Sequence, residues 1–133
     1  MSQVAPRVGI VLVSHSARLA EGAADLAGQV SGGTVRVLPA GGTGDGGLGT
    51  SAEKIAEAVA GAEAGAGVLV LPDLGSAVLT VRAMLGDQSG GRVVLADAPF
   101  VEGAVAATVT AAAGADLKAV ARAAEEAWHA RKL

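Results

Sequence analysis

Short apolar runs rich in β-branched residues alternate along the chain with longer segments in which apolar residues recur at helical spacing. A strand covered on both faces has a continuous apolar run, whereas a helix that packs one face shows apolar residues three or four positions apart. The runs occupy residues 7–13, 34–39, 67–71 and 92–96. Alternation of the two patterns predicts βαβ units around a parallel sheet. We therefore expect an α/β fold: a three-layer, doubly wound, mostly parallel sheet of four to five strands with helices on both faces.

The segments between and after these runs are predicted to be helices. They cover residues 16–30, a stretch that begins at Thr50, residues 76–85, 100 to about 113, and 116 to about 131. One face of the first predicted helix, at spacings of i, i+4, i+7 and i+11, carries Leu19, Ala23, Leu26 and Val30. We expect this face to lie against the sheet.

Capping residues and glycines refine these boundaries. Thr50 and Glu53 match a capping box, in which a hydroxyl and a carboxylate satisfy N–H groups of the first turn. Asp116 is the predicted N-cap of the last helix. The stretch 40–49 consists mostly of glycine and threonine, so we expect an irregular, mobile loop there.

Length, charge and aromatic content narrow the class of protein. With 133 residues the chain can bury a sizeable core, and we expect one domain over residues 1–133. The formal net charge is −3, and the chain has one Phe, one Trp and no Tyr. Since nucleic acids attract basic surfaces, and single strands stack on aromatic side chains, we expect no nucleic-acid partner.

Neither a membrane segment nor a secretion signal is predicted. Although 51% of the residues are hydrophobic, no apolar stretch approaches the roughly 18 residues that a spanning helix needs. Residues 1–7 do not lead into a cleavable signal. The absence of cysteine fits a reducing compartment. We therefore expect a cytoplasmic protein with no membrane insertion.

The first apolar run ends at Val13 and is followed at once by Ser14 and His15. This position places an imidazole at the carboxyl end of a buried strand, the edge of an open parallel sheet where ligands bind. Asp73 follows the third run, and we expect it near His15 because neighbouring strands bring their carboxyl ends to the same edge. A carboxylate bound to one ring nitrogen fixes the tautomer and leaves the other nitrogen free to attack an electrophile. His15 and Asp73 are therefore the candidate catalytic residues.

Small residues beside this pair are candidates for binding a phosphate group. Ser14, Ser16, Gly75 and Ser76 lie at the predicted starts of the first and third helices. A helix N-terminus favours an anion by about 0.3–2 kcal/mol, so we expect these residues to surround phosphate oxygens. Position alone does not separate a nucleophilic histidine from a general base, a metal ligand or a histidine that only hydrogen-bonds at a strand end.

Three other chemistries fit the sequence less well. A serine hydrolase is disfavoured because no G-x-S-x-G motif exposes a nucleophile. We predict no metal site, since the second histidine, His129, lies far away at a predicted solvated helix end and cysteine is absent. Residues 42–47 match the G-x-G-x-x-G pattern of dinucleotide-binding loops, but that fingerprint normally follows the first strand and this one follows the second. A P-loop is absent as well, since no Gly-Lys-Ser/Thr follows these glycines. We therefore predict no cofactor.

Several stretches, in their order and spacing, are similar to a known family. Residues 11–22, 41–42, 49–51, 73–77 and 96–104 resemble the mannose-type EIIA family, in particular the phosphotransfer subunits of phosphoenolpyruvate-dependent dihydroxyacetone kinases. The resemblance implies that His15 is phosphorylated and that Asp73 orients its ring. It also implies a homodimer.

The resemblance further implies a place in a phosphoryl relay. Phosphoenolpyruvate would phosphorylate enzyme I, then HPr, then His15, and the group would pass to ADP on the nucleotide-binding subunit of dihydroxyacetone kinase and on to dihydroxyacetone on the substrate-binding subunit. Fused HPr and enzyme I domains of some relatives are absent from this chain, so we expect separate donors. Two alternatives stay open: a sugar-transport EIIA component that passes phosphate to an EIIB protein, and a regulatory binding module. Ser14 and Ser16 stand where sugar-transporting relatives more often have glycine, which favours the kinase subunit.

Overall fold

Strands and helices alternate along the chain as the apolar pattern predicts. The computed structural model describes residues 5–86 and 91–133. Of residues 1–7, in which no secretion signal is predicted, the first four lie outside the described residues. The strands are β1 (Gly9–Ser14), β2 (Val37–Gly41), β3 (Val68–Pro72) and β4 (Val93–Leu95). The helices are α1 (Ala17–Val30), α2 (Ala52–Ala62), α3 (Gly75–Leu85), α4 (Phe100–Ala112) and α5 (Leu117–Glu126), followed by a 3₁₀ turn at Ala127–His129.

The strands form one parallel sheet whose order determines where the functional edge lies. Within the described residues the order is β2-β1-β3-β4, with Ser14 opposite Gly41 and Val13 opposite Pro72. The chain winds outward from β1 to β2 and then crosses to the other side for β3 and β4. The switch point therefore lies between β1 and β3, where open α/β sheets bind ligands beyond the strands' carboxyl ends.

Helices cover both faces of the sheet. Ile10 and Leu12 pack with α1, α4 and α5, whereas Val11 and Val13 pack with α2 and α3. Successive strand residues point to opposite faces, and every residue of β1 and β3 is buried. The predicted three-layer α/β fold is confirmed.

Helix α1 packs through a different face from the one its leucines predict. The buried residues of α1 are Ala20, Ala23, Ala24 and Ala27. Leu19, Leu26 and Val30 are 46%, 48% and 51% exposed, so the predicted inward face was wrong at three of its four positions. Small side chains face the sheet because α1 lies very close to β2: a Cβ at Gly41 would be 2.7 Å from the Cα of Ala17.

Several element boundaries differ from those predicted, including those of β2 and α2. Strand β2 begins at Val37 and continues to Gly41, into the stretch predicted to be a loop, because Ala40 and Gly41 pair with the end of β1. Ser51, rather than Thr50, is the N-cap of α2 and accepts a hydrogen bond from the Lys54 N–H. Adjacent hydroxyl residues give the same capping signal, so sequence alone did not choose between them.

The predicted N-cap of the last helix is confirmed, but the α-helix ends at Glu126 and not near residue 131. Asp116 caps α5 and accepts a hydrogen bond from the Ala119 N–H. His129 is exposed in the 3₁₀ turn that follows α5. Its surroundings are those of a solvated terminus.

Gly41→Ala is expected to lower the free energy of unfolding by about 3 kcal/mol or more. The added Cβ would lie 2.5 Å from the Ser16 carbonyl oxygen, a backbone atom that moves only if the start of α1 moves. Urea unfolding measures the loss. Gly22→Ala is the matched control: it lies on α1 with open space around it, so alanine there should stabilise the helix by about 0.5–1 kcal/mol. Equal stability of the two variants would contradict the close approach of α1 and β2.

Candidate functional site

The ends of β1 and β3 bring His15 and Asp73 into contact. The Nδ1 atom of His15 lies 2.9 Å from Oδ1 of Asp73. On the opposite side of the ring, Nε2 lies 2.7 Å from the hydroxyl oxygen of Ser76, in the first turn of α3. The His15 side chain is about a quarter exposed (25%) and that of Asp73 is 9% exposed, so the ring reaches solvent while the carboxylate lies beneath it.

Asp73 receives hydrogen bonds on both carboxylate oxygens. Its Oδ2 accepts from the Ser14 hydroxyl at 2.9 Å and from the His15 backbone N–H at 3.0 Å. Its Oδ1 accepts from the Leu74 backbone N–H at 2.7 Å and faces Nδ1 of the ring. An ionised carboxylate can only accept hydrogen bonds, and each oxygen here faces a backbone N–H that can only donate. The site is therefore built for a charged Asp73.

Burial acts to raise the pKa of Asp73, but the hydrogen bonds outweigh it. Donors from the His15 backbone and ring, the Ser14 hydroxyl and the Leu74 backbone together hold the pKa of this carboxyl below its ordinary value of 3.8. Asp73 is thus ionised at neutral pH.

The charge on Asp73 decides the tautomer of His15. Because the carboxylate accepts, Nδ1 must carry the ring proton, and in the neutral ring Nε2 keeps its lone pair. The Ser76 hydroxyl then donates to Nε2. The nitrogen that carries the lone pair is the one directed away from Asp73.

The stability that Asp73 contributes is expected to depend on pH. Its folded-state pKa lies below 3.8, so folding favours the ionised form; the contribution is complete above that pH and is lost as the pH falls through the lower, folded-state value. Urea unfolding of the unaltered chain and Asp73→Asn through the acidic range checks this. The difference between their free energies of unfolding should shrink as the pH falls, and a constant difference would exclude the charge as its source.

The predicted phosphate-binding residues occupy three different surroundings. Ser14 is fully buried, at 0% exposed, and its hydroxyl binds Asp73, so it does not face the open edge as predicted. The Ser16 hydroxyl caps α1 by accepting from the Leu19 N–H at 3.2 Å. Ser76 lies at Nε2, and Gly75, the first residue of α3, has open space around it. Ser76 therefore lies where a group arriving at Nε2 would meet it, and Gly75 precedes it at the start of α3.

Backbone contacts from the glycine-rich loop support His15, and the sequence analysis missed them. The Gly42 N–H donates to the Ser14 carbonyl at 3.1 Å, and the Gly49 N–H donates to the His15 carbonyl at 2.9 Å. Both glycines have positive φ angles, +74° and +140°. The Thr50 hydroxyl then lies 2.8 Å from that of Thr80 on α3. The only sequence signal was the glycine content, which did not reveal the contact with His15.

Three exposed leucines lie on the segments that contact the pair. Leu48 precedes Gly49 in the glycine-rich loop, Leu74 follows Asp73, and Leu79 lies one turn after Ser76; all three are largely exposed. A cleft of about 710 Å³ opens next to Asp73 and extends between α3 and the start of α4. This edge therefore offers exposed apolar surface and a cleft next to Asp73.

Two negative observations apply to residues 5–86 and 91–133. They contain no group of three or more His, Asp or Glu side chains that could hold a metal ion. In the same part of the chain, no helix has the length and apolar character needed to cross a membrane.

Residues 9–121 match the sequence model of the EIIA-man family, described as the PTS system fructose IIA component. A match over most of the chain, together with the histidine at the switch point of the sheet, shows that this chain belongs to the EIIA-man family. Its curated relatives include phosphoryl donor subunits, DhaM, of phosphoenolpyruvate-dependent dihydroxyacetone kinases. The resemblance identified from the sequence is confirmed.

The relatives differ in length. The DhaM subunit of dihydroxyacetone kinase 2 from Listeria innocua is 39% identical over 105 residues, covering 77% of this chain and 84% of the relative. The DhaM subunit from Escherichia coli is 41% identical over 119 residues, covering 85% of this chain but 25% of the relative. This chain thus spans about a quarter of the longer relative. The crystal structure of protein EF1359, described as of unknown function, matches with a TM-score of 0.79 and 34% identity over 90% of this chain and 94% of that one.

Proposed function

We propose that this chain is a cytoplasmic phosphocarrier subunit of a dihydroxyacetone kinase. In this proposal, His15 accepts a phosphoryl group from phospho-HPr. It passes the group to ADP on the nucleotide-binding subunit, and dihydroxyacetone on the substrate-binding subunit is phosphorylated in turn. The observation that carries the proposal is the ring of His15, held at Nδ1 by Asp73 with Nε2 directed to the open edge. The relatives' description as phosphoryl donor subunits supports it.

The proposed transfer is a nucleophilic displacement at phosphorus. The Nε2 lone pair forms the new N–P bond while the bond between phosphorus and the donor histidine breaks, and the donor nitrogen recovers its lone pair. The Nδ1 proton stays in its hydrogen bond to Asp73, whose negative charge stabilises the positive charge that develops on the ring. Onward transfer reverses these changes, with a phosphate oxygen of ADP as the attacking atom.

Ser76 and the start of α3 assist the incoming group in this proposal. When Nε2 attacks phosphorus, the Ser76 hydroxyl gives up that acceptor and donates to a phosphoryl oxygen instead. The first turn of a helix leaves N–H groups without intrahelical partners. In this proposal, the N–H groups of Gly75 and Ser76 donate to the other phosphoryl oxygens. The exposed leucines beside the site would form the surface on which donor and acceptor dock in turn. From the family resemblance, we also propose a homodimer, which analytical ultracentrifugation would test.

A labelled transfer assay tests the proposed function. The purified chain is incubated with enzyme I, HPr and phosphoenolpyruvate that carries a labelled phosphate. We expect an acid-labile, base-stable label on the chain, as a phosphohistidine gives. After removal of phosphoenolpyruvate, addition of the kinase subunits with ADP and dihydroxyacetone should move the label to dihydroxyacetone phosphate within a single turnover.

Two other outcomes would overturn the proposal in favour of the alternatives. The family description as a fructose IIA component favours testing an EIIB protein as acceptor. Transfer to EIIB but not to ADP on the kinase subunit would identify a sugar-transport component. A label that remains on the chain with either acceptor present would identify a regulatory module instead.

A further inference from the structure

We infer that Ser14 is a positioning residue for phosphotransfer: its hydroxyl fixes the carboxylate of Asp73 and thereby keeps His15 in the reactive tautomer. This inference rests on the proposed phosphorylation of His15. It gives Ser14 a role inside the protein, beneath the ring, instead of contact with the phosphoryl group.

The direction of each hydrogen bond at Ser14 follows from its neighbours. The Ser16 backbone N–H lies 3.0 Å from the Ser14 hydroxyl oxygen and can only donate to it. The single hydroxyl proton is then free to donate to Oδ2 of Asp73 at 2.9 Å. A directed chain therefore runs from the start of α1 through Ser14 to the carboxylate, and such chains strengthen each bond in them.

Burial makes this arrangement hard to replace. Ser14 is fully buried at the end of β1, and its carbonyl is held by the Gly42 N–H. The hydroxyl therefore cannot turn toward solvent. Removing it would leave the Ser16 N–H without its acceptor and Oδ2 with one protein donor, the His15 backbone N–H.

The consequence for His15 passes through Asp73. With one side of the carboxylate released, its plane can rotate and weaken the contact between Oδ1 and Nδ1. The neutral ring then populates the form in which Nε2 carries the proton, and that nitrogen has no lone pair with which to attack phosphorus. By comparison with other residues that orient a reactive group from behind it, we expect a loss of about 10- to 100-fold in the rate of phosphorylation.

Ser14→Ala, Ser14→Thr and a distant control test the inference. Ser14→Thr keeps the hydroxyl, and threonine suits a strand. Asp116→Ala removes the N-cap of α5, at the opposite edge of the sheet, and reports the effect of a purely structural loss of about 1 kcal/mol. Each variant is measured by single-turnover phosphorylation from phospho-HPr and by ¹⁵N NMR of the ring nitrogens of His15 at mildly alkaline pH.

We expect Ser14→Ala to slow phosphorylation and to shift the ring toward the form protonated at Nε2, while Ser14→Thr and Asp116→Ala keep both properties of the unaltered chain. An unchanged tautomer in a folded Ser14→Ala would overturn the inference. If Ser14→Ala does not fold, Ser14→Cys tests the inference with a weaker donor. Ser14→Cys should raise the fraction of His15 rings protonated at Nε2 above that of the unaltered chain, and an unaltered fraction would overturn the inference.

The NMR measurement needs no phosphoryl donor. If HPr does not phosphorylate the unaltered chain, the proposed function fails, and the tautomer still decides whether Ser14 positions Asp73. A normal tautomer in Ser14→Ala alongside normal phosphorylation of the unaltered chain removes only the role of Ser14.

Discussion

His15→Ala is expected to reduce labelling of this chain by phospho-HPr to background. Alanine has no nitrogen to form the N–P bond, and the neighbouring hydroxyls are poor substitutes. The Ser14 hydroxyl is buried against Asp73 and that of Ser16 caps α1. The Ser76 hydroxyl loses its partner Nε2 with the ring, and with it the neighbouring base that could take its proton. The fold should persist, because Asp73 keeps its hydrogen bonds from Ser14 and from two backbone N–H groups. Labelling from phosphoenolpyruvate through enzyme I and HPr measures the effect, with circular dichroism as the check on folding.

The second histidine of the chain provides the matched control. His129 is exposed in the 3₁₀ turn after α5, and replacing it with alanine should leave labelling intact. Label that persists in a folded His15→Ala would refute His15 as the acceptor. Loss of label in His129→Ala, with label retained in His15→Ala, would identify His129 as the acceptor.

The meeting of His15 and Asp73 could be predicted because it depends on few features of the fold. Each residue lies two positions after the end of an apolar run, and a parallel sheet brings the carboxyl ends of its strands to one edge. Errors of one or two residues in strand boundaries do not change which edge that is. Strand β3 ends at Pro72 instead of residue 71, and Asp73 still follows it.

The face through which α1 packs could not be predicted from periodicity, because it depends on the distance between α1 and the sheet. Leucines and alanines lie on neighbouring flanks of this helix, and hydrophobicity alone favours the larger side chains. The close approach of α1 to Gly41 reverses that choice, since a leucine between the helix and the sheet would force them apart. The resulting half-exposed leucines are a consequence of close packing.

The surroundings of His15 were harder to predict because they depend on register and side-chain direction. Ser14, the last residue of β1, is buried like the rest of that strand, and its hydroxyl contacts Asp73 instead of facing the open edge. The contact between Gly49 and the His15 carbonyl joins residues 34 positions apart in the chain, through a loop with no periodic pattern. Residue type identified the members of the site, and only the three-dimensional arrangement assigned their partners.

Asp73→Asn is expected to slow phosphorylation of His15 by about 10⁴-fold, the scale seen when the carboxylate that orients a catalytic histidine is replaced by an amide. Asparagine has nearly the shape of aspartate, but one of its two terminal groups is an NH₂ donor. Each carboxylate oxygen of Asp73 accepts from a backbone N–H that cannot reverse, from His15 on Oδ2 and from Leu74 on Oδ1. Either orientation of the amide therefore opposes one donor with another, at a cost in stability of about 1–3 kcal/mol.

The orientation that the amide adopts decides the chemistry. An NH₂ group facing the ring would require Nδ1 to accept, which places the proton on Nε2 and removes the attacking lone pair. An amide oxygen facing the ring would keep the tautomer but lose the negative charge that stabilises the phosphorylated ring, and would oppose NH₂ to the His15 N–H. Single-turnover phosphorylation measures the rate, and Asp25→Asn, an exposed change of the same kind on α1, should leave it unaltered. A folded Asp73→Asn that is phosphorylated as fast as Asp25→Asn would mean that His15 needs no orienting carboxylate, and the role of Ser14 behind it would fall as well.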